Sequence, residues 1–358
     1  MNTGISLLSS LLPDDADAAL VISNENRRYF TGFVSSLGYL LVTKKEAYLL
    51  VDFRYGEAAQ KKARNCQVIT FKKLSDELTK LIRDHSLKAV MLEGSAFTLN
   101  EASAIETVLT KAGAKAVKTS ELDKIISRLR ITKTANEVEK IRKAQLITEN
   151  AFSDTLKLIK EGVSERDLAL ELEYKMRKAG ADGVSFDLIT ITGKKTSMPH
   201  GVPGDETVHN GDFITFDIGA LYDGYHSDMT RTVVLGKADE AMKRVYHTVW
   251  KAQMNGLAAV KDGVTCGEVD FAARSYIDQA GYQGYFGHST GHGVGLEIHE
   301  APSVSPDSDV ILRSGMVITV EPGIYIPNQY GVRIEDMVVV TKDGCINLAT
   351  LPKELIEL

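Results

Sequence analysis

Two acids in this chain stand inside apolar, β-branched runs where a charge is costly. In GDFITFDIGALYDGYHSDMTRTVVL, residues 211–235, Asp217 belongs to the first run and Asp228 heads the second. Runs of that composition read as strands, and Tyr222-Asp223-Gly224 between them reads as a turn, so the stretch is a β-hairpin. If Tyr222-Asp223 is the turn centre, Asp217 faces Asp228. If Asp223-Gly224 is the centre, Asp228 lies diagonally across from it. Both registers put the two carboxylates on one face, because side-chain direction repeats every two residues. Facing like charges destabilise a hairpin, and a buried unpaired carboxylate costs more still. An exposed sheet face with two solvated acids is the plain alternative. A cation held between them is the reading with chemistry in it.

A second stretch strengthens that reading. GMVITVEPG at 315–323 repeats GDFITFDIG at 211–219, and Glu321 falls where Asp217 fell. The returning strands match more loosely: Asp228 precedes MTRTVV and Glu335 precedes DMVVV. The spacing is too long for a solenoid repeat, so one carboxylate-bearing hairpin is used twice and four acids converge. Four histidines join the candidates: His200, His288, His292 and His299. His292 lies in the glycine-rich GHSTGHGVGLEIHE, where backbone can approach a ligand closely. His292 and His299 would point to opposite faces of one regular strand, so a turn through Gly293 and Gly295 must intervene if both face one pocket. No HExxH zinc helix occurs, and the GHGVG glycines do not follow a strand-to-helix dinucleotide pattern.

The elements that must position these residues form two domains, 1–131 and 132–358. In the first, AALVIS, GYLLVT, AYLLVD, CQVITF and KAVMLE read as strands. RYGEAAQKKAR, LSDELTKLIRDH and LNEASAIETVLTKAG read as helices, giving a small α/β domain in which Arg54-Tyr55 is expected to be a structural pair, with reach into a neighbouring active site as the alternative. Thr134 with Glu137 makes a capping box that opens a long helix and the second domain. Ser164 with Asp167 opens another helix, ending at Gly180, and the first hairpin follows. ADEAMKRVYHTVWKAQMNGLAAVKDG is a further long helix, and Thr265 with Glu268 caps one running to about Gly281 before the second hairpin. The second domain is therefore α+β, helix-helix-hairpin twice over.

Composition narrows the function. A net charge of −6 with 25% charged residues argues against a nucleic-acid partner, and no apolar run spans a membrane. The opening MNTGISLLSSLLPDDADAAL lacks a basic start, which argues against a secretory signal. Cys66, Cys266 and Cys345 are far apart and form no CxxC, as expected of thiols in a reducing cytoplasm.

Taken together, FDIGA, SDMTRT, TGHGVGLEIHE, VEPGIY and VRIED closely resemble the metal-site motifs of the pita-bread metallopeptidases, which include methionine aminopeptidases, aminopeptidase P, prolidase and creatinase. SMPHG at 197–201 and the N-terminal segment YFTGFVSSLGYLLVTKKEAYLLVDFRY resemble the proline-directed branch. The resemblance implies a pseudo-two-fold pita-bread catalytic domain behind a creatinase-like N-terminal domain. It implies two divalent metal ions held by Asp217, Asp228, His292, Glu321 and Glu335. Asp228 and Glu335 would bridge both ions, Asp217 would complete one, and His292 with Glu321 the other. The oxygen-rich donor set with one imidazole suits Mn²⁺ or Co²⁺ at least as well as Zn²⁺.

The implied activity is hydrolysis of the Xaa-Pro bond, with the ions supplying the nucleophilic water. Glu321 would move its proton, while His200 and His299 would hydrogen-bond the substrate and the developing oxyanion. His288 would line the proline pocket. Arg333 would either hold a substrate carboxylate or ion-pair with one of the acids. Glu300 and Asp336 are expected to face solvent or to support the site from behind. Prolidase, acting on dipeptides and short peptides, is the first expectation, aminopeptidase P on longer peptides the alternative, and a homodimer the expected assembly. A catalytically silent binding module and a metal-free C–N hydrolase are disfavoured because all five ligand positions are present.

Overall fold

The computed structural model describes residues 4–358, which divide after Arg130 into two compact units. The first is built on a mixed six-stranded sheet whose central strand, Ala18–Val21, runs antiparallel to Tyr39–Thr43 and parallel to Ala89–Leu92. Its central strands are almost continuously apolar because both faces are covered. Leu40 and Leu49 pack into the core on one face, while their chain neighbours Leu41 and Leu50 pack into the core on the other. The helices expected from the sequence form at Phe53–Lys62, Leu74–Asp84 and Leu99–Ala112. Two helices escaped that reading, Gly4–Leu11 and Asn24–Thr31, together with the edge strand Lys115–Val117, whereas the charged, helically patterned stretch from residue 122 forms the helix Glu121–Arg130. The two missed helices span only eight residues each, and the strand three, too short to display a period.

In the second unit, four helices start at side-chain caps. Ala135–Leu156 begins at the Thr134/Glu137 capping box and Glu165–Lys178 at Ser164. Glu240–Ala259 begins at Asp239, and Cys266–Ile277 at the Thr265/Glu268 box. The last ends four residues before the expected glycine. The chain passes through a wider π-type turn, Asp278–Tyr282, in which Gly281 takes φ 89°. Each helix pair is followed by strands and then a hairpin. The first hairpin joins a three-stranded sheet with Ile189–Thr192, and the second lies in a five-stranded sheet with Gly291–Gly293, Glu300–Val304 and Cys345–Asn347. Phe152, Leu172 and Phe216 anchor the core beneath the first hairpin. Val269, Ile318 and Val338 do so beneath the second.

The hairpins are kinked rather than continuous. The first consists of Phe213–Ile218 paired with Met229–Val234, then Ala220–Tyr222 paired with Tyr225–His226. Asp223 and Gly224 have φ 44° and 73°, the two positive values of a type I′ turn, so Asp223-Gly224 is the turn centre. Asp217 consequently faces Thr230, and Asp228 is its diagonal neighbour, the second of the two registers allowed by the sequence. Asp228 is not on a strand, contrary to the sequence reading. It occupies the kink before Met229, where Gly219 passes so close that a Cβ on it would stand 2.0 Å from the Ser227 carbonyl oxygen. The second hairpin pairs Val317–Val320 with Asp336–Val340 and Gly323–Ile326 with Tyr330–Arg333. Both Glu321 and Glu335 fall in the gap between those pairs, and the flanking register sets them opposite each other.

Candidate metal centre

The two kinks and the Gly291–Gly293 strand bring the predicted donors together. Donor atoms of Asp228, His292 and Glu335 all lie within 4.8 Å of one another. His292 Nε2 stands 3.5 Å from an oxygen of Asp228 and 3.5 Å from one of Glu321. Asp217, Asp228, His292, Glu321 and Glu335 all line one cavity of about 500 Å³, within the range of small-molecule sites. Phe186, Ile189, Pro199 and Ile298 supply its apolar wall.

The histidine's tautomer follows from its neighbour. His292 Nδ1 lies 3.0 Å from the Gly293 carbonyl oxygen, which can only accept, so the proton sits on Nδ1 and Nε2 presents its lone pair to two carboxylates. Burial pulls the imidazole down to about 4, so the ring is neutral at pH 7 and cannot serve as the missing cation. Burial also pushes Glu321 up to about 8, with the neighbouring Asp217 carboxylate adding to the rise. Asp228 and Glu335 are raised well above their ordinary range by burial and by the other carboxylates. Asp217 Oδ1, Asp228 Oδ1 and Glu335 Oε1 are buried with no hydrogen-bond partner. Acids that resist ionising, orphaned oxygens and a bare imidazole lone pair are what a site for divalent cations presents before loading, and these residues fit such ions.

Hydroxyls hold the acids in place. Thr230 Oγ1 donates to Glu335 Oε2 at 2.7 Å, and Thr319 Oγ1 lies 3.2 Å from Glu321 Oε1 while accepting the His292 N–H at 3.0 Å. Arg333 is 3% exposed and realises the ion-pair alternative: Nη2 meets Asp217 Oδ2 at 2.6 Å. Its Nη1 donates to Tyr325 Oη at 2.7 Å, and its Nε to Thr230 Oγ1 at 3.1 Å. His288 continues that chain. Its Nδ1 donates to the Ser289 carbonyl, leaving Nε2, at 2.8 Å, to accept the Tyr325 hydroxyl proton. Burial, with Arg333 nearby, lowers His288 to about 4. His200 and His299 both line the cavity with exposed rings, and the His299 ring centroid lies 4.4 Å from that of His292.

Glu300 and Asp336 do not face solvent. Asp336 is fully buried and pairs with Arg231 at 2.7 Å and Lys353 at 2.8 Å. Against the cost of burial, those two cations keep its carboxyl below the ordinary range. Glu300 pairs with Lys133. Arg54 folds back onto Asp52, the cap of its own helix. Sequence reasoning missed Thr230, Thr319, Tyr325 and Arg231, whose Nη1 donates to the Glu335 carbonyl oxygen at 2.6 Å. A signal existed for the threonines alone: Thr319 precedes Glu321 by two, and Thr230 follows Asp228 by two, the spacing of one strand face.

Comparison with known proteins agrees with this chemistry. Residues 139–342 match the model of metallopeptidase family M24, and residues 7–132 match the creatinase/prolidase N-terminal domain. An Xaa-Pro dipeptidase of Pyrococcus horikoshii is 41% identical over 95% of this chain and 94% of its own. The solved structure of an Xaa-Pro dipeptidase from Bacillus anthracis superposes with TM-score 0.95 at 40% identity, covering 99% of both chains. An X-Pro aminopeptidase structure from Thermotoga maritima does so with TM-score 0.91 at 36% identity, over 96% of this chain and 98% of that one.

Proposed function

Because this chain belongs to metallopeptidase family M24, we propose that it is a metal-dependent peptidase that hydrolyses the Xaa-Pro bond of dipeptides and short peptides. The observation that carries the site is the convergence of four carboxylates on one neutral imidazole, with three buried oxygens unpartnered. Asp217, Asp228, His292, Glu321 and Glu335 would together hold two divalent ions, with Asp228 and Glu335 the acids shared between them, as the resemblance implies. Mn²⁺ is the preferred occupant, with Co²⁺ and Zn²⁺ as alternatives, on the oxygen-rich donor set. When bound, such ions supply a nucleophilic water near neutral pH and polarise the scissile carbonyl.

The chain's own residues do the rest. Glu321 takes the attacking water's proton and delivers it to the proline nitrogen, an imide nitrogen that must gain a proton to leave. His299 and His200, on the rim of the cavity, donate hydrogen bonds to the carbonyl oxygen and to the substrate. Arg333 keeps Asp217 in place, while Thr230 and Thr319 aim Glu335 and Glu321. Phe186, Ile189 and Pro199 offer the apolar wall that a pyrrolidine ring would use, and His288 lines the same cavity.

Dipeptidase is the preferred label over aminopeptidase P, supported by the full-length likeness to dipeptidases. With Arg333 committed to Asp217, selection for a free carboxylate has to come from another group. The test is kcat/KM with Mn²⁺ supplied for Ala-Pro, Ala-Pro-Ala and Ala-Pro-Ala-Ala. A decline with length is expected. Equal or rising values would sink the dipeptidase label, and no cleavage of any of them would sink the Xaa-Pro reading. A homodimer in the cytoplasm completes the proposal. The resemblance supports the dimer, which light scattering would check, and three free cysteines support the location.

A further inference from the structure

His299, on the rim of the cavity, has little to hold its side chain. Its exposed imidazole makes no hydrogen bond to another described residue, and its ring contact is with His292. The ring's place is therefore set by the backbone of the 294–299 loop, which joins strands Gly291–Gly293 and Glu300–Val304. Glu300 pins that loop from inside. Its Oε1 accepts the Glu297 N–H at 3.1 Å, and a Cβ on Gly295 would stand 2.6 Å from its Oε2. The carboxylate is nearly sealed from water and has a buried cation beside it. Lys133 Nζ stands 3.1 Å from Oε2, with the two side chains 2% and 7% exposed.

Lys133 is anchored in turn. Its N–H donates to the Gly315 carbonyl at 2.8 Å, and Thr132 bridges to Met316. Those residues head the strand Val317–Val320, which leads directly to Glu321. Beside the backbone bond from Val294 to Val317, the Lys133 ammonium thus adds a side-chain tie between the His299 loop and the segment that delivers Glu321, although neither Lys133 nor Glu300 lines the cavity.

We propose that Lys133 is a positioning residue: its buried ion pair with Glu300 holds the 294–299 loop so that His299 meets the scissile carbonyl. This rests on the peptidase reading, in which His299 is the group that donates to that carbonyl. The pair should act on turnover more than on binding, because misplacing a catalytic group by about 1 Å can cost about 10²-fold. Removing one partner also takes away the compensation it gives the other's buried charge, which drives local rearrangement.

The test compares Lys133→Met with Lys133→Met/Glu300→Gln in the metal-loaded enzyme on Ala-Pro, and by hydrogen exchange in the metal-free protein. In Lys133→Met, kcat should fall about 10–100-fold with KM changed less than about threefold and metal stoichiometry kept. Amides of the 294–299 loop should exchange faster, with those of the four long helices unchanged. In the double variant no charge remains, the glutamine carbonyl still accepts from Glu297, and both turnover and protection should largely return. Wild-type turnover and loop protection in Lys133→Met would overturn the proposal. So would a double variant no better than the single, or metal lost in step with activity. Should Lys133→Met fail to fold, Glu300→Gln alone must show slower turnover and faster loop exchange, and wild-type behaviour in both overturns it. A wild-type protein inactive on Ala-Pro would sink the peptidase reading instead, and the exchange data would then judge the ion pair by themselves.

Discussion

The two hairpins descend from one pattern yet present their acids differently. In the first, a two-residue Asp223-Gly224 turn sets Asp217 opposite Thr230 and Asp228 on the diagonal. In the second, the turn carries Asn328 at φ 60° between Ile326 and Tyr330, and Glu321 and Glu335 face each other across the kink. The threonines at matching positions diverge too. Thr215 bonds across its sheet to Thr232, whereas Thr319 holds Glu321 and His292. The larger difference is electrostatic. Asp217 has a protein cation in Arg333, supplied by the other hairpin, while no lysine or arginine ion-pairs with Asp228, Glu321 or Glu335 among the described residues. The two hairpins supply four acids, and divergence in register and pairing gave one of them, Asp217, a protein cation that the other three lack among the described residues.

The most disruptive way to probe that comparison is to remove one assigned bridging acid from each hairpin. Asp228→Ala and Glu335→Ala should each abolish turnover and lower metal content, and should weaken the rise of Tm with added Mn²⁺, since binding to the native state is stabilisation. If the Asp228→Ala protein kept both ions and near-normal kcat, the equivalence of the two positions would be broken.

A smaller effect separates the compensated acid from the rest. Arg333→Met unpairs Asp217 and should cost about 1.5–3 kcal/mol in kcat/KM, the scale of one charge-assisted hydrogen bond. Because Arg333 acts through Asp217, the loss should be equal for Ala-Pro and Ala-Pro-Ala-Ala. A penalty confined to the dipeptide would return Arg333 to the role of carboxylate holder.

The mildest test is the pH dependence of stability without metal. Glu321 sits at about 8 in the folded protein against an ordinary 4.5, so between those values the native state binds the extra proton and stability falls as pH rises. His288 and His292, lowered from 6.5 to about 4, act in the opposite sense, but only below pH 6.5. Across pH 6.5–8 metal-free protein should therefore lose stability, by at most about 1.4 kcal/mol per pH unit for each such carboxyl. Saturating Mn²⁺ should remove that slope. A metal-free Tm that rises over the same interval would contradict the electrostatics of the site.

Much of this was legible in the chain because it is local. The paired stretches at 211–219 and 315–323 announced two strands and their acids through composition and period. The Thr134/Glu137 and Thr265/Glu268 boxes announced helix starts within four residues of sequence. The cation requirement followed from charge alone, since side-chain period places both acids of a hairpin on one face whichever register is adopted. The resemblance supplied the assignment of individual donors, and the structure brings all five to one cavity.

What local pattern leaves open is anything set by distance between segments far apart in the chain. The choice between two turn centres was decided by backbone geometry at Asp223 and Gly224, and with it the diagonal placement of Asp228. Arg333 had two equally reasonable partners in the sequence. Only folding placed Asp217, 116 residues away, within 2.6 Å of its guanidinium. Asp336 reads as one more acid beside a site residue, yet burial against Arg231 and Lys353 makes it a structural charge. Lys133 and Glu300, 167 residues apart, carry no motif linking them. Residue types and periods thus determine which groups are available and which face they share. Register and burial, which exist only once the sheets have paired and closed over their cores, decide which acid gains a protein cation and which acids are buried without one.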